Sequence, residues 1–350
     1  MRKSPPVEGR RPMSAISYKC PNCGGELTFD PKTQKFSCQY CVSYFTEQEL
    51  LQANPPEQED SQAVAYSCPS CGAEIITDET TAATFCYYCH NPVVLQGRVS
   101  GRYLPDRVLP FQIDQKKARQ SFLDYVQKKK FVPRAFFNKE QIEKLTGVYF
   151  PYWVCDSRAR GSMSARATKV RVWRVGDLEY TETKFYQVER RGSLEFPGIT
   201  QNALKKANRQ LVEGVQPFPM EQCKPFSMGY LSGFQAQKRD QEQEEFQDGI
   251  LHDVQEYSRG MLRDSIKGYA TVKPEQTDIR MEEMNWQYAL LPVWTVTYQG
   301  KNGQIYYYAM NGITGKVCGK LPVDYKRVGM LFLCVFVPVL LLGLLGGYLI

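Results

Sequence analysis

Residues 18–41 read YKCPNCGGELTFDPKTQKFSCQYC and residues 66–89 read YSCPSCGAEIITDETTAATFCYYC, and the second stretch lies on the first without a gap. Cysteines stand at 20, 23, 38 and 41, then at 68, 71, 86 and 89, so that each of the second set follows its counterpart at one constant offset. This is an internal duplication, and each unit carries the spacing C-x2-C-x14-C-x2-C. A CxxC turn brings two sulfurs to one metal, and two such turns complete a tetrahedral four-thiolate site. The spacing is one residue short of the common zinc window, a difference that the turns can absorb. Gly24 and Gly72 follow the second cysteine of the first turn in each unit, where the chain has to open or turn left-handed.

Between the cysteine pairs, residues 26–30 and 35–38 alternate around PKTQ and predict a β-hairpin. The second unit predicts the same from 74–77, the turn DETT and 82–86. Thr46 and Glu49 in TEQELL form a capping box ahead of a short helix. Cys20, Cys23, Cys38, Cys41, Cys68, Cys71, Cys86 and Cys89 are therefore the candidate ligands of two structural Zn2+ ions. Iron is the rival metal, disfavoured by the short hairpin and the lack of other redox features. A closed four-thiolate site has no open position and activates no water. Its contribution is folding energy for a hairpin too small to bury a core.

Each unit resembles a zinc ribbon, including the kind found in transcription factor IIB. Val42 and His90 depart from the glycine common after the last cysteine of such ribbons. His90 is a competing ligand that four cysteines make unnecessary. Lys19, Lys32 and Lys35 on the first unit and Glu74, Asp78 and Glu79 on the second give a mixed surface, with Tyr40, Tyr44, Tyr87 and Tyr88 able to stack bases.

At the other end, residues 329–350 read GMLFLCVFVPVLLLGLLGGYLI, with no charged or amide side chain. At about 1.5 Å per residue, such a helix crosses a hydrocarbon core of about 30 Å. This predicts one C-terminal transmembrane helix. Lys326 and Arg327 precede it and no cation follows, so the positive-inside bias puts the bulk of the chain in the cytoplasm. Cysteines held as CxxC pairs suit a reducing compartment rather than a disulfide framework.

The expected organisation is a disordered basic N-terminus (1–14), ribbon one (15–51), a linker (52–65), ribbon two (66–98), an α+β domain with antiparallel strands (104–327) and the anchor (329–350). In the α+β domain, Asp114 caps a helix that presents Ala118, Phe122, Tyr125 and Val126 on one face. Separate strands are expected at 147–155, around VRVWRV and in LEYTETKFYQVE, with helices at 200–213 and about 239–267. In the last helix Phe246, Ile250, Val254, Tyr257 and Met261 recur at helical spacing. YFPYWV (149–154) and LLPVWT (290–295) echo each other. GVYFPYWVCD, FQIDQKKARQSF and LLPVWTVTYQG with YYYAMNGITGKV resemble a family of bacterial transcription factor IIB-type zinc-ribbon membrane proteins, sometimes labelled primosomal helicase-like. The resemblance covers most of the chain and brings no established activity. YYYAMNGITGKV also resembles the strand-and-turn element of small PepSY-type domains.

No phosphate loop, HExxH or GxSxG is present. The two histidines are His90 and His252, and Asp253 beside His252 points elsewhere on a helix. Cys155 and Cys223 have no histidine near them in sequence and read as buried thiols. The residues imply a non-enzymatic, membrane-anchored zinc protein that touches lipid through its last helix and recruits or scaffolds a protein partner. Nucleic-acid binding through the tyrosines and the basic run 158–174 is the alternative.

Overall fold

The structure, a computed structural model, describes residues 13–16, 18–53, 65–67, 74–76, 81–85, 92–95, 103–133, 142–205, 207, 209–299 and 305–349. The N-terminal part contains β1 (Met13–Ile16), β2 (Leu27–Asp30), β3 (Lys35–Cys38), β4 (Tyr44–Phe45) and α1 (Glu47–Ala53). There follow β5 (Ala65–Ser67), β6 (Glu74–Ile76), β7 (Thr81–Phe85) and β8 (Pro92–Leu95). The body is built from β9 (Arg107–Val108), α2 (Gln115–Gln127), β10 (Thr146–Val175), β11 (Leu178–Asn202), α3 (Arg209–Gly214), β12 (Lys224–Pro225), β13 (Gln235–Gln237) and α4 (Glu244–Asp264). It closes with β14 (Thr271–Gln299), β15 (Ile305–Asn311), β16 (Val317–Lys320) and α5 (Tyr325–Leu349).

The first hairpin forms where alternation places it, in the register Leu27↔Cys38 to Asp30↔Lys35. The capping box ahead of α1 is present too, with the Thr46 N–H donating to Glu49 Oε2 at 2.7 Å. Asp114 caps α2 by accepting from the Lys117 N–H, and Ala118, Phe122 and Val126 of that helix are buried. β1 begins at Met13, inside the stretch expected to lack structure.

The large sheet is antiparallel-rich, in the order β12-β9-β14-β10-β13-β7-β8-β1-β5-β6 with β11 on β10 and β15 and β16 beyond β14. Its centre is β10 against β14, which lays YFPYWV beside the segment containing LLPVWT. Tyr149 pairs with Pro292 and Pro151 with Leu290, so the two echoing segments run past each other around a local dyad. Buried indole N–H groups find carbonyl partners on both sides: Trp153 donates to Gln241 O and Trp294 to Ile113 O.

Several expectations are corrected here. The strands expected separately at 147–155 and around VRVWRV are one 30-residue strand, β10, because alternation persists through the arginine run. Ala159, Met163, Ala165 and Ala167 point inward, while Arg158, Arg160 and Arg166 lie on the other face. The helix expected at 200–213 shrinks to α3, since residues up to Asn202 belong to β11. α4 buries Ile250, Val254, Ser258 and Leu262 against the sheet and leaves Tyr257 and Met261 exposed, a face rotated from the one expected.

The hairpin expected in the second unit, 74–77 against 82–86, rests in large part on residues outside the described ones. Among the described residues β6 pairs with β5, while β7 pairs with β8 and with β13 of the body. The registers nevertheless echo the first unit at the same offset that relates the cysteines. The bridge Lys19↔Glu26 corresponds to Ser67↔Glu74, and Phe36↔Phe45 corresponds to Thr84↔Val93. Residues 77–80 and 86 lie outside the described residues.

Candidate metal centre

Two tight turns hold the first four cysteines, and their backbones repeat each other. In the first turn the Gly24 N–H donates to Cys20 O and the Cys20 N–H to Gly25 O. In the second the Val42 N–H donates to Cys38 O and the Cys38 N–H to Ser43 O. Gly24 and Val42 are equivalent, and both lie at positive φ, 70° and 58°. Glycine takes that conformation freely; a β-branched residue does not. The departure from glycine noted in the sequence is therefore a strained position. An L-residue in the left-handed region costs roughly 1–2 kcal/mol, and glycine's extra unfolded freedom offsets about 0.5–1 kcal/mol of what its substitution relieves. Val42→Gly should stabilise the metal-bound hairpin by about 1 kcal/mol, read as roughly fivefold tighter zinc in competition with a chelator.

The sulfurs converge. Cys20 Sγ and Cys41 Sγ are 3.5 Å apart, as are Cys23 Sγ and Cys38 Sγ, and all four lie within 4.8 Å of one another. Four sulfurs at about 2.3 Å from a tetrahedral ion sit about 3.8 Å from one another, so the cluster is of the right size for one metal. Cys20 and Cys38 are buried, whereas Cys23 and Cys41 are exposed. The thiols differ before any metal arrives. Hydrogen bonding with the Ser43 hydroxyl, 3.2 Å away, and with the Ser43 backbone brings Cys41 down to about 6. The Gly25 amide favours the Cys23 thiolate as well, but the crowd of neighbouring sulfurs outweighs it and pushes Cys23 up to about 12. Metal uptake at neutral pH thus expels the Cys23 proton, and apparent affinity falls as pH falls. Asn22 fixes the Ser43 hydroxyl from the opposite turn, Nδ2 to Oγ 3.0 Å.

The hairpin does not stand off from the body. Leu27, Phe29, Phe36 and Leu50 share one buried cluster with Tyr230, Leu231 and Phe234. Phe29 meets Tyr230 edge-on at 5.1 Å between ring centroids. Ser232 donates its hydroxyl to Leu27 O, while its carbonyl accepts from the Phe29 N–H at 3.1 Å. Tyr230 donates its hydroxyl to Glu47 Oε2 at 2.8 Å. Gly229 makes the approach possible: a Cβ there would come within 2.8 Å of Leu50 and 3.0 Å of Phe36. Lys32 pairs with Asp114 at 2.6 Å and Lys19 with Glu26 at 3.3 Å, so two of the three lysines expected on the surface already have anionic partners. No sequence signal points to residues 229–234 as the seat of the hairpin. Tyr40, Val42 and Tyr44 remain on the outside, the first two 73% and 70% exposed.

The other candidate residues fall as follows. Cys68, Cys71, Gly72, Cys86, Cys89, His90, Asp78, Glu79, Tyr87 and Tyr88 lie outside the described residues. The basic run is not a free cationic strip. Arg158 pairs with Glu195 and Glu283, Arg160 with Glu282, Arg166 with Glu275 and Arg174 with Glu179. Arg171 lies over Trp173 and Lys169 over Tyr186 and Tyr269. Cys155 is buried near Ser157, and burial raises its thiol; Cys223 is pushed up by burial to about 11. A polar cleft of 490 Å³ runs past Asn202, Lys205, Arg209, His252 and Asp253. Its charges are engaged in the pairs Lys205–Glu245 and Arg209–Glu213, and His252 and Asp253 are both exposed.

α5 is long and apolar enough to cross a membrane, and none of its apolar stretch 325–342 is buried against the protein. Asp324 caps it, accepting from the Lys326 and Arg327 N–H groups.

No family description matches the chain, and no solved structure does. The chain is 37% identical over 322 residues to the uncharacterized protein YdjG of Bacillus subtilis (strain 168), a match covering 91% of this chain and 93% of that one. A likeness that strong, over nearly the whole length of both proteins, places this chain in the same family as the Bacillus protein.

Proposed function

We propose that this chain is a membrane-anchored, non-enzymatic zinc protein of the transcription factor IIB-type ribbon kind, which holds a protein partner at the cytoplasmic face of a membrane. Two zinc ions are structural in this reading, one on Cys20, Cys23, Cys38 and Cys41 and one on Cys68, Cys71, Cys86 and Cys89. The registers that match at the offset between the two cysteine sets support the second ribbon. The apolar stretch of α5 supports the anchor, and Lys326 and Arg327 before it support the cytoplasmic orientation.

The observation that carries the partner role is the division of the first ribbon into two surfaces. One apolar side is spent on the body, and Tyr40, Val42 and Tyr44 still protrude beside the metal turn. Exposed aromatic residues clustered on a rigid turn are the composition that interface centres favour. The engaged arginines of 158–174 argue against a phosphate-binding strip.

The test is crosslinking in intact membranes followed by capture of the full chain. A protein crosslinked to wild type should be recovered at least about tenfold less with Tyr40→Ala/Tyr44→Ala, a loss expected when interface anchors are truncated. Equal recovery would sink the reading. A mobility shift on nucleic acid that weakens steeply with salt would replace it with the nucleic-acid alternative.

A further inference from the structure

Beside the start of α5 lies a second group of cations that are distant from it in sequence. After α2 the chain reads Lys128, Lys129, Lys130, Phe131, Val132, and this segment is fastened to the foot of the last helix. The Asp324 N–H donates to Phe131 O at 2.7 Å, and Arg327 Nη1 donates to Val132 O at 3.4 Å. Arg327 also pairs with Asp324 at 3.2 Å, so the acid nearest the helix is already engaged. Lys128, Lys129 and Lys130 are exposed, and Lys129 lies over the Tyr125 ring at 5.4 Å.

Between this segment and residues 319–323 runs a groove of 490 Å³. One wall carries the three lysines, and Leu321, Pro322 and Val323 supply an apolar wall that leads directly to Asp324 and the helix. A helix that spans from about residue 325 puts this groove at the level of lipid headgroups. Apolar surface beside a cluster of ammonium groups at that depth matches a lipid's glycerol region and its phosphate.

We propose that this groove is a binding site for an anionic phospholipid headgroup, with Lys128, Lys129 and Lys130 meeting its charge and Leu321 and Val323 its acylglycerol portion. The inference rests on the reading of α5 as a membrane anchor. Lys326 and Arg327, the two cations that set the orientation, then act together with three others contributed by a different element. The site ties the body to the membrane surface and fixes how the body stands on it, which a single flexible anchor does not do.

The experiment uses the full chain in nanodiscs of phosphatidylcholine containing a minority of phosphatidylglycerol, followed by gentle release and mass spectrometry of the lipid that stays bound. Wild type should retain phosphatidylglycerol enriched at least about tenfold over its share of the disc, well within what three lysines supply at an anionic surface. Lys128→Gln/Lys129→Gln/Lys130→Gln should bring the enrichment close to parity, and arginine at the same three positions should restore it. Lys169→Gln/Lys184→Gln/Lys267→Gln removes the same charge elsewhere and should leave the enrichment unchanged. No enrichment in wild type, or an equal loss in both glutamine triples, overturns the site while leaving the anchor intact. A chain that does not enter the disc overturns the anchor reading, and this site with it.

Discussion

Cys23→Ser should cost the chain one zinc and dismantle the seat of the first hairpin. The other three cysteines cannot close a tetrahedral thiolate site alone, and structural zinc in small ribbons contributes roughly 10–16 kcal/mol to folding. That exceeds what the hairpin can supply from its own few apolar residues. Its loss also reaches the body, because Phe29 and Phe36 leave Tyr230 and the Tyr230 hydroxyl loses Glu47. Removing a buried aromatic costs about 3–5 kcal/mol, which for a body of this size lowers Tm by roughly 10 °C. Elemental analysis beside a thermal melt reads both effects. Wild type should carry two zincs, Cys23→Ser one, Cys71→Ser one and the double variant none. Cys155→Ser, whose thiol is buried far from any CxxC pair in sequence, serves as the control and should keep both. Two zincs retained in Cys23→Ser, or an undiminished melt with the metal gone, would refute the coupling of ribbon to body.

Removing residues 328–350 should move the chain from the membrane to the soluble fraction almost completely. Large apolar side chains from Val328 to Leu342 are exposed all along α5. Each is worth about 1.5–3 kcal/mol when transferred from water, so the stretch as a whole is worth tens of kcal/mol in a bilayer. No part of that stretch is buried against the body, so the truncated chain should keep its thermal stability. Alkaline extraction of membranes followed by a melt of the released protein checks both claims. Leu333→Arg/Leu340→Arg should act in the same direction without shortening the chain, since a cation at mid-helix disfavours insertion by about 2.5–3.5 kcal/mol. Retention of the truncated chain at alkaline pH would mean that something other than α5 holds it.

The parts legible in the sequence are those fixed by local chemistry. The first hairpin, the Thr46–Glu49 box, the Asp114 cap and the apolar C-terminal helix all follow from residues within a few positions of one another. What is not legible depends on partners far along the chain. The arginines of 158–174 look like a cationic strip because Glu275, Glu282 and Glu283 stand far downstream and reach them only through the β10–β14 register. The docking of Phe29 on Tyr230 has the same cause, since no local pattern marks a surface that another segment will cover. The rotated face of α4 shows a further limit. Tyr257 and Met261 fit the helical period, but Ser258 and Leu262 face the small residues of β10 and take the buried side.

β1 lies between β8 and β5, with Ile16 paired to Val94 and Met13 to Tyr66. A strand that precedes the first cysteine thus completes a sheet belonging to the second unit, and the intervening hairpin is enclosed in the loop between them. During synthesis Ile16 emerges well before Val94, and Tyr149 emerges longer still before Pro292. At a synthesis rate of about 5–20 residues per second, these edges wait for their partners for times on the order of several seconds to tens of seconds. The metal hairpin needs no such wait, because all four of its cysteines are out once Cys41 is made. A metal ion on those four thiolates would secure an early folded island on the nascent chain, around which the slow long-range pairing is later assembled. If the metal arrives during translation, its supply would then bear on the yield of the whole protein and not only on the occupancy of one site.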